Sequence, residues 1–210
     1  MHPSEAVGPT FNPQVLSNAR DLGLELLHVC SLKVAQGMSE DQLHAIIKEE
    51  GLKRGMSKWW HPTKVRFGKN TRCSFKEPSA KGITIAPGDL FFLDIGPVFD
   101  NHEIDLGRTF RLGDQDFKNP AEDVFNLCQK AWQENKSTGL ELYDLAKQYA
   151  LDLGLTLNPQ MAGHRLGDFP HALHHRGPLG AHDKTPVKDR WILEIHLLDD
   201  EGGYFFEDLL

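Results

Sequence analysis

The 210-residue chain is predicted to fold as an α+β domain, with antiparallel strand pairs flanked by helices. Three observations lead to this. Segments with helical spacing of apolar residues alternate with short apolar runs bounded by turn residues. The strand-like runs come as neighbouring pairs joined by short polar turns, which suits hairpins and not the long crossovers that parallel strands need. The length is that of one domain with a sizeable core.

The elements follow in order. Residues 1–13 hold three prolines and are expected to form an arm ahead of a single domain of residues 14–210. From Val15 to Val34, the residues Val15, Leu16, Ala19, Leu22, Leu26, Leu27 and Cys30 recur at helical spacing, and Gly37 is a plausible stop. Ser39 opens a second helix, with Gln42 three residues on as a capping box and Leu43, Ile46, Ile47 and Leu52 as its apolar face. Residues 56–88 are punctuated by Gly55, Pro62, Gly68, Pro78, Gly82 and Pro87 and read as irregular or extended. Leu90–Phe99 and Glu103–Leu112 read as two strands about a turn near Phe99-Asp100. Asn119-Pro120 begins a helix to about Lys136, with Val124, Leu127, Cys128 and Ala131 inward, and Leu140–Gly154 forms another. Trp191–Leu197 and Gly203–Leu209 read as strands joined through Asp199-Asp200-Glu201-Gly202.

Composition narrows the function. A net charge of −7 argues against a general nucleic-acid binder, which needs a basic face. No apolar run approaches the roughly 18 residues of a membrane span, and the N-terminus shows no signal-peptide pattern. Cys30, Cys73 and Cys128 form no CxxC pair, so neither a disulfide framework nor a thiolate zinc site is indicated, and a reducing cytoplasm fits.

The informative residues are acids inside apolar strands. Asp94 follows Leu90-Phe91-Phe92-Leu93, and a carboxylate buried without a partner costs several kcal/mol. With a turn at Phe99-Asp100, Asp105 is equidistant from it, and directly opposite residues share a face with Cβ atoms about 5 Å apart. Two such carboxylates repel unless a cation sits between them. The C-terminal pair repeats the pattern, with Glu194 and Glu207 placed symmetrically about their turn. The alternative is structural: Asp94 in an ion pair with Arg108 or capping a neighbouring helix, and Glu207 solvated on an edge.

Gly163-His164 follows the last helix, and His164 can complete a mixed carboxylate and imidazole site suited to manganese, iron, cobalt or zinc. His171 can orient substrate or donate to a developing oxyanion. His174, His175 and His182 read as a polar loop, and His196, on the face of Glu194, as either a support for the site or a core residue.

These residues resemble the pita-bread metallopeptidases, the family of methionine aminopeptidase, Xaa-Pro aminopeptidase, prolidase and creatinase. Asp94-Ile95-Gly96 is similar to the family's first aspartate strand, and Asp105 with Arg108-Thr109-Phe110 to its Asp-x-x-Arg-Thr-Phe. Gly163-His164, His171, Glu194 and Glu207 fall in the family's order, over about residues 12–210. The resemblance implies the pita-bread fold and a pair of divalent ions (Mn, Co, Fe or Zn) held by Asp94, Asp105, His164, Glu194 and Glu207. It implies Glu194 and His171 as catalytic groups. The implied partner is a peptide or small amide-type substrate, with no nucleic acid or membrane, and a homodimer is compatible. Three features depart from the family. Phe75 stands where a substrate-facing histidine is usual, with His61 available at a non-equivalent position. Arg165 replaces a small residue, and Ala172 follows His171 where glutamate is common. The hairpin between Glu194 and Glu207 is also short.

Overall fold

A computed structural model describes residues 2–210. Helix α1 spans Pro13–Leu32, with the Asn12 side chain accepting from the N–H groups of Gln14 and Val15 and Pro13 in the first turn. Helix α2 spans Glu40–Lys53, and the capping box of Ser39 and Gln42 is present. Helix α3, Pro120–Asn135, is capped by Asn119 and stopped by Lys136 in the left-handed conformation. Helix α4, Gly139–Asp152, begins at a second capping box made by Thr138 and Glu141. Two residues expected on buried faces point outward: Leu52 is 58% exposed and Leu127 44% exposed. Both lie on helices that touch the sheet along a single stripe, so an apolar residue just outside that stripe stays in water.

Residues 58–99 contribute four strands: β1 (Lys58–Trp59), β2 (Lys64–Phe67), β3 (Leu90–Ile95) and β4 (Pro97–Phe99). Next come β5 (His102–Glu103) and β6 (Leu106–Arg111), then β7 (Thr156–Leu157), β8 (His164–Arg165), β9 (Trp191–Leu198) and β10 (Gly203–Leu209). The larger sheet runs β2-β3-β6-β10-β9-β7, with β8 also paired to β9. A small sheet, β1-β4-β5, stands apart from it. The two long expected strands therefore each break in two, at Gly96 and near Asp105, and the halves join different sheets. All pairings are antiparallel, as the hairpin reading requires.

The turn of the first hairpin lies one residue later than expected. Asp100 and Asn101 both take positive φ and Phe99 pairs with His102, so Asp94 stands opposite Gly107 and not opposite Asp105. The displacement amounts to two residues in register, which preserves the face, so both aspartates still project to the same side. The second hairpin has the expected register, with Glu194 opposite Glu207.

Period-2 alternation then sorts the sheet. Phe91, Leu93, Ile95 and Leu106 pack with α1 and α2, and Leu193, Ile195, Leu197, Tyr204 and Phe206 pack with α3 and α4. The alternate positions, Phe92, Asp94, Glu194, His196, Phe205 and Glu207, turn to the other face. Helices therefore cover one side of the sheet, and the acids sit on the other. The result is the pita-bread α+β fold.

Candidate metal centre

The helix-free face of the sheet gathers its acids into one buried cluster. Asp94, Asp105 and Glu207 are 3%, 3% and 1% exposed. Asp94 comes from β3, Asp105 from the break before β6, Glu194 from β9, Glu207 from β10 and His164 from β8. His164 Nε2 lies 2.7 Å from Asp105 Oδ2, and the Gly163 N–H donates to Glu194 Oε2 at 2.7 Å. Gly163 has φ +64°, and a Cβ there would meet the Ile192 carbonyl at 2.3 Å, so glycine permits this approach. Four of the expected residues, Asp94, Asp105, His164 and Glu194, line one cavity, and the charges of the other three acids act on the Glu207 carboxyl.

Electrostatics show how crowded the cluster is. Burial pushes the Asp94 carboxyl up to about 7, with His61 opposing and the charges of Asp105 and Glu194 adding to the rise. Glu194 is raised by burial, against the pull of His164. Glu207 is pushed well above the carboxylate range by burial, then by Asp105, Asp94 and Glu194. For Asp105 burial acts upward, but His61 and hydrogen bonds from both imidazoles hold it below the usual range. His164 and His61 are each raised to about 9; burial opposes this, and the neighbouring carboxylates overcome it. Without a cation, protons must supply the missing positive charge.

The donor set fits divalent cations. Glu207 Oε1 is fully buried without a hydrogen-bond partner, and a Cβ at Gly107 would lie 2.9 Å from it. An orphaned carboxylate oxygen among three other acids and an imidazole is the environment a metal ion satisfies. His61, Asp94 and Asp105 also offer ligand atoms that all lie within 4.8 Å of one another. His61, Asp94, Asp105, His164 and Glu194 line an open cavity of about 460 Å³, with Trp60, Phe75 and Met161 among its walls.

The ion-pair alternative for Asp94 and the solvated-edge alternative for Glu207 are overturned. Arg108 does not pair with Asp94; its Nη2 donates to Asp208 Oδ2 at 2.6 Å, and its Nη1 to the backbone carbonyls of Gly107 and Glu207. Glu207 is not a solvated edge residue, because β10 lies between β6 and β9.

The histidines separate into different roles. His171 stands beside the site, its ring 5.5 Å from that of His164 and 4.7 Å from that of Trp60, and its Nδ1 lies 2.5 Å from Glu103 Oε2. Glu103 is a further buried acid that sequence reasoning passed over; its polar neighbours Asn101, His102 and Asp105 give it no sequence signal that separates it from a surface charge. His196 is a core residue, with Nε2 donating to the Thr71 carbonyl at 2.8 Å and Nδ1 3.1 Å from the Asn158 amide nitrogen. Burial lowers its pKa to about 4. His182 corrects the loop reading, being buried and stacked on Trp191 with ring centroids 4.4 Å apart. Arg165 is also buried, and holds the N-terminal segment by donating to the Ser4 and Ala6 carbonyls.

Fold and cluster together define a protein of the pita-bread class whose buried acids and imidazoles could hold a metal ion. The chain belongs to Metallopeptidase family M24, whose model matches residues 15–210. Methionine aminopeptidase 1 of Saccharomyces cerevisiae (strain ATCC 204508 / S288c) is 26% identical over 197 residues, covering 87% of this chain and 50% of that protein. In fold the chain is similar to the X-Pro aminopeptidase from Thermotoga maritima MSB8, with TM-score 0.72 and 17% identity over 94% of this chain and 58% of that one. It is also similar to the prolidase from Pyrococcus horikoshii OT3, with TM-score 0.74 and 19% identity over 93% of this chain and 57% of that one. The chain thus spans about half the length of the curated relative and under three fifths of each of these structures. Among the described residues, no helix is long and apolar enough to cross a membrane.

Proposed function

We propose that the chain is a dinuclear metal-dependent hydrolase that cleaves a peptide C–N bond at or near a free N-terminus, of aminopeptidase or Xaa-Pro peptidase type. The observation that carries this is that Asp94, Asp105, Glu194 and His164 line one open cavity, with the buried Glu207 behind them keeping one carboxylate oxygen without a partner. Asp94, Asp105, His164, Glu194 and Glu207 would hold two divalent ions drawn from Mn, Co, Fe or Zn. Such ions, when bound, lower the pKa of a water and polarise a carbonyl.

The remaining chemistry belongs to side chains. Glu194 is held by the Gly163 N–H at one oxygen, which fixes its orientation, and it takes a proton from the attacking water and returns it to the leaving nitrogen. His171, with Nδ1–H donated to Glu103, supports the developing oxyanion through Nε2–H in the doubly protonated ring. Trp60, Phe75 and Met161 offer apolar contact to a substrate side chain.

Phe75 favours a second reading, hydrolysis of a small non-peptide C–N substrate. Its ring packs 5.5 Å from that of His61 and under Lys64 Nζ at 4.3 Å, so the wall carries an apolar group where the family resemblance implies an imidazole.

A peptide library and a panel of small amides, digested with each of the four metals, test both readings. Release of N-terminal residues by the wild type but not by Glu194→Gln supports the peptidase. Turnover of amides alone supports the second reading. No turnover with any of the four metals contradicts both.

A further inference from the structure

One buried side chain at the cluster lies outside the five-residue ligand set. His61 is 8% exposed, and its Nε2 lies 3.1 Å from Asp105 Oδ1 and 3.4 Å from Asp94 Oδ1. We propose that His61 is a sixth metal ligand, so that each of two ions takes one imidazole: His61 beside Asp94 on one ion, His164 on the other, and Asp105 bridging them. The proposal rests on the two-metal reading above and adds a ligand to it.

The tautomer is the first support. His61 Nδ1 lies 3.0 Å from the Pro62 carbonyl, and His164 Nδ1 lies 2.9 Å from the Arg165 carbonyl. A carbonyl only accepts, so each Nδ1 carries a proton, and in the neutral ring each Nε2 presents a lone pair. A backbone carbonyl holding the far nitrogen is the usual support of a metal-binding histidine. The two rings are therefore prepared in the same way.

The second support is spacing. With metal–ligand bonds of about 2.0–2.2 Å, neighbouring ligand atoms on one ion stand about 3.0 Å apart at right angles and about 3.4 Å apart in a tetrahedron. The His61 separations from the two aspartate oxygens fall at these values. Asp105 divides between the rings, Oδ1 toward His61 and Oδ2 toward His164, as a bridging carboxylate would.

Room for His61 is built into the fold. Gly96 follows Asp94 by two residues, and a Cβ there would fall 2.2 Å from His61 Cδ2, 2.3 Å from Nε2 and 2.7 Å from Trp60 Nε1. The Trp60 ring packs edge-on against His61 at 4.3 Å, and its Nε1 donates to the Ile104 carbonyl at 3.0 Å. The imidazole is thus clamped with its free nitrogen turned to the carboxylates. A second imidazole shifts the pair of positions toward zinc or cobalt and away from manganese and magnesium.

The test uses the full chain, stripped with chelator and reloaded with Co²⁺. Elemental analysis and calorimetry give the number and affinity of bound ions, and X-ray absorption counts imidazoles per cobalt. The wild type is expected to bind two ions with one imidazole each, and His61→Gln to weaken one ion by at least about 10–100-fold. The wild-type imidazole count does not depend on whether the variant folds. Two ions sharing a single imidazole, or unchanged affinities in a folded His61→Gln, overturn the ligand assignment alone. A wild type that binds no cobalt overturns the two-metal reading as well.

Discussion

Asp208→Ala tests the scaffold that holds two of the acids in place. Asp208 is 3% exposed and accepts from Arg20 Nε and Nη2, both at 2.7 Å, and from Arg108 Nη2 at 2.6 Å. Arg108 belongs to the strand that follows Asp105, lies 3.5 Å over the Phe206 ring, and donates to the backbone carbonyl of Glu207. Burial lowers the Arg108 pKa, with Asp208 opposing, yet the group stays charged near neutral pH. Removing Asp208 leaves that charge buried and uncompensated, which costs about 3–5 kcal/mol. Arg20 is more than a third exposed on its side chain and adds little. For a chain of this size the loss corresponds to a fall in Tm of about 6–20 °C. Urea and thermal unfolding of the wild type and variant measure it directly. A loss under about 1 kcal/mol, the range of solvent-screened surface pairs, would refute the buried-pair account.

Two further outcomes are expected. Gly96→Ala should displace His61 and Trp60, because the new Cβ would lie 2.2 Å from the imidazole; calorimetry should show weakened cobalt binding, and unchanged binding would contradict the close approach. The metal-free chain should lose stability as pH rises. Asp94 is raised from 3.8 to about 7, so its contribution is present below about pH 4 and lost as pH climbs through 7. Glu194 and Glu207 act in the same direction. His61 and His164, raised from 6.5 to about 9, contribute below 6.5 and lose that contribution as pH passes 9. Urea melts in chelator at pH 5, 7 and 9 check the trend, and greater stability at pH 9 than at pH 5 would contradict it.

Much of this was legible because alternation and turn chemistry are local. The Asp199–Gly202 turn set the register of Glu194 on Glu207, and the Ser39–Gln42 capping box marked the start of α2. The first hairpin shifted because Asp100 and Asn101, both tolerant of positive φ, form the tight two-residue turn, where a Phe99-Asp100 turn would force Phe99 into a conformation bulky side chains avoid. Strands β1 and β2 were hidden by their shortness and by flanking proline and glycine. Side-chain partners were less accessible still. Nothing local told that Arg108 would choose Asp208, 100 residues away, or that Glu103 would hold His171 across 68 residues. His61 lay in an irregular stretch, and only the folded sheet brings it to Asp94 and Asp105.

Counting the divalent ions bound by the wild type and by Asp105→Asn, with manganese, cobalt and zinc each supplied in excess, tests the metal centre most directly. Asp105 touches both imidazoles, one through each oxygen. Two ions per wild-type chain and none held tightly by the variant is the expected result. An empty wild type, or a folded variant that keeps both ions, would contradict it.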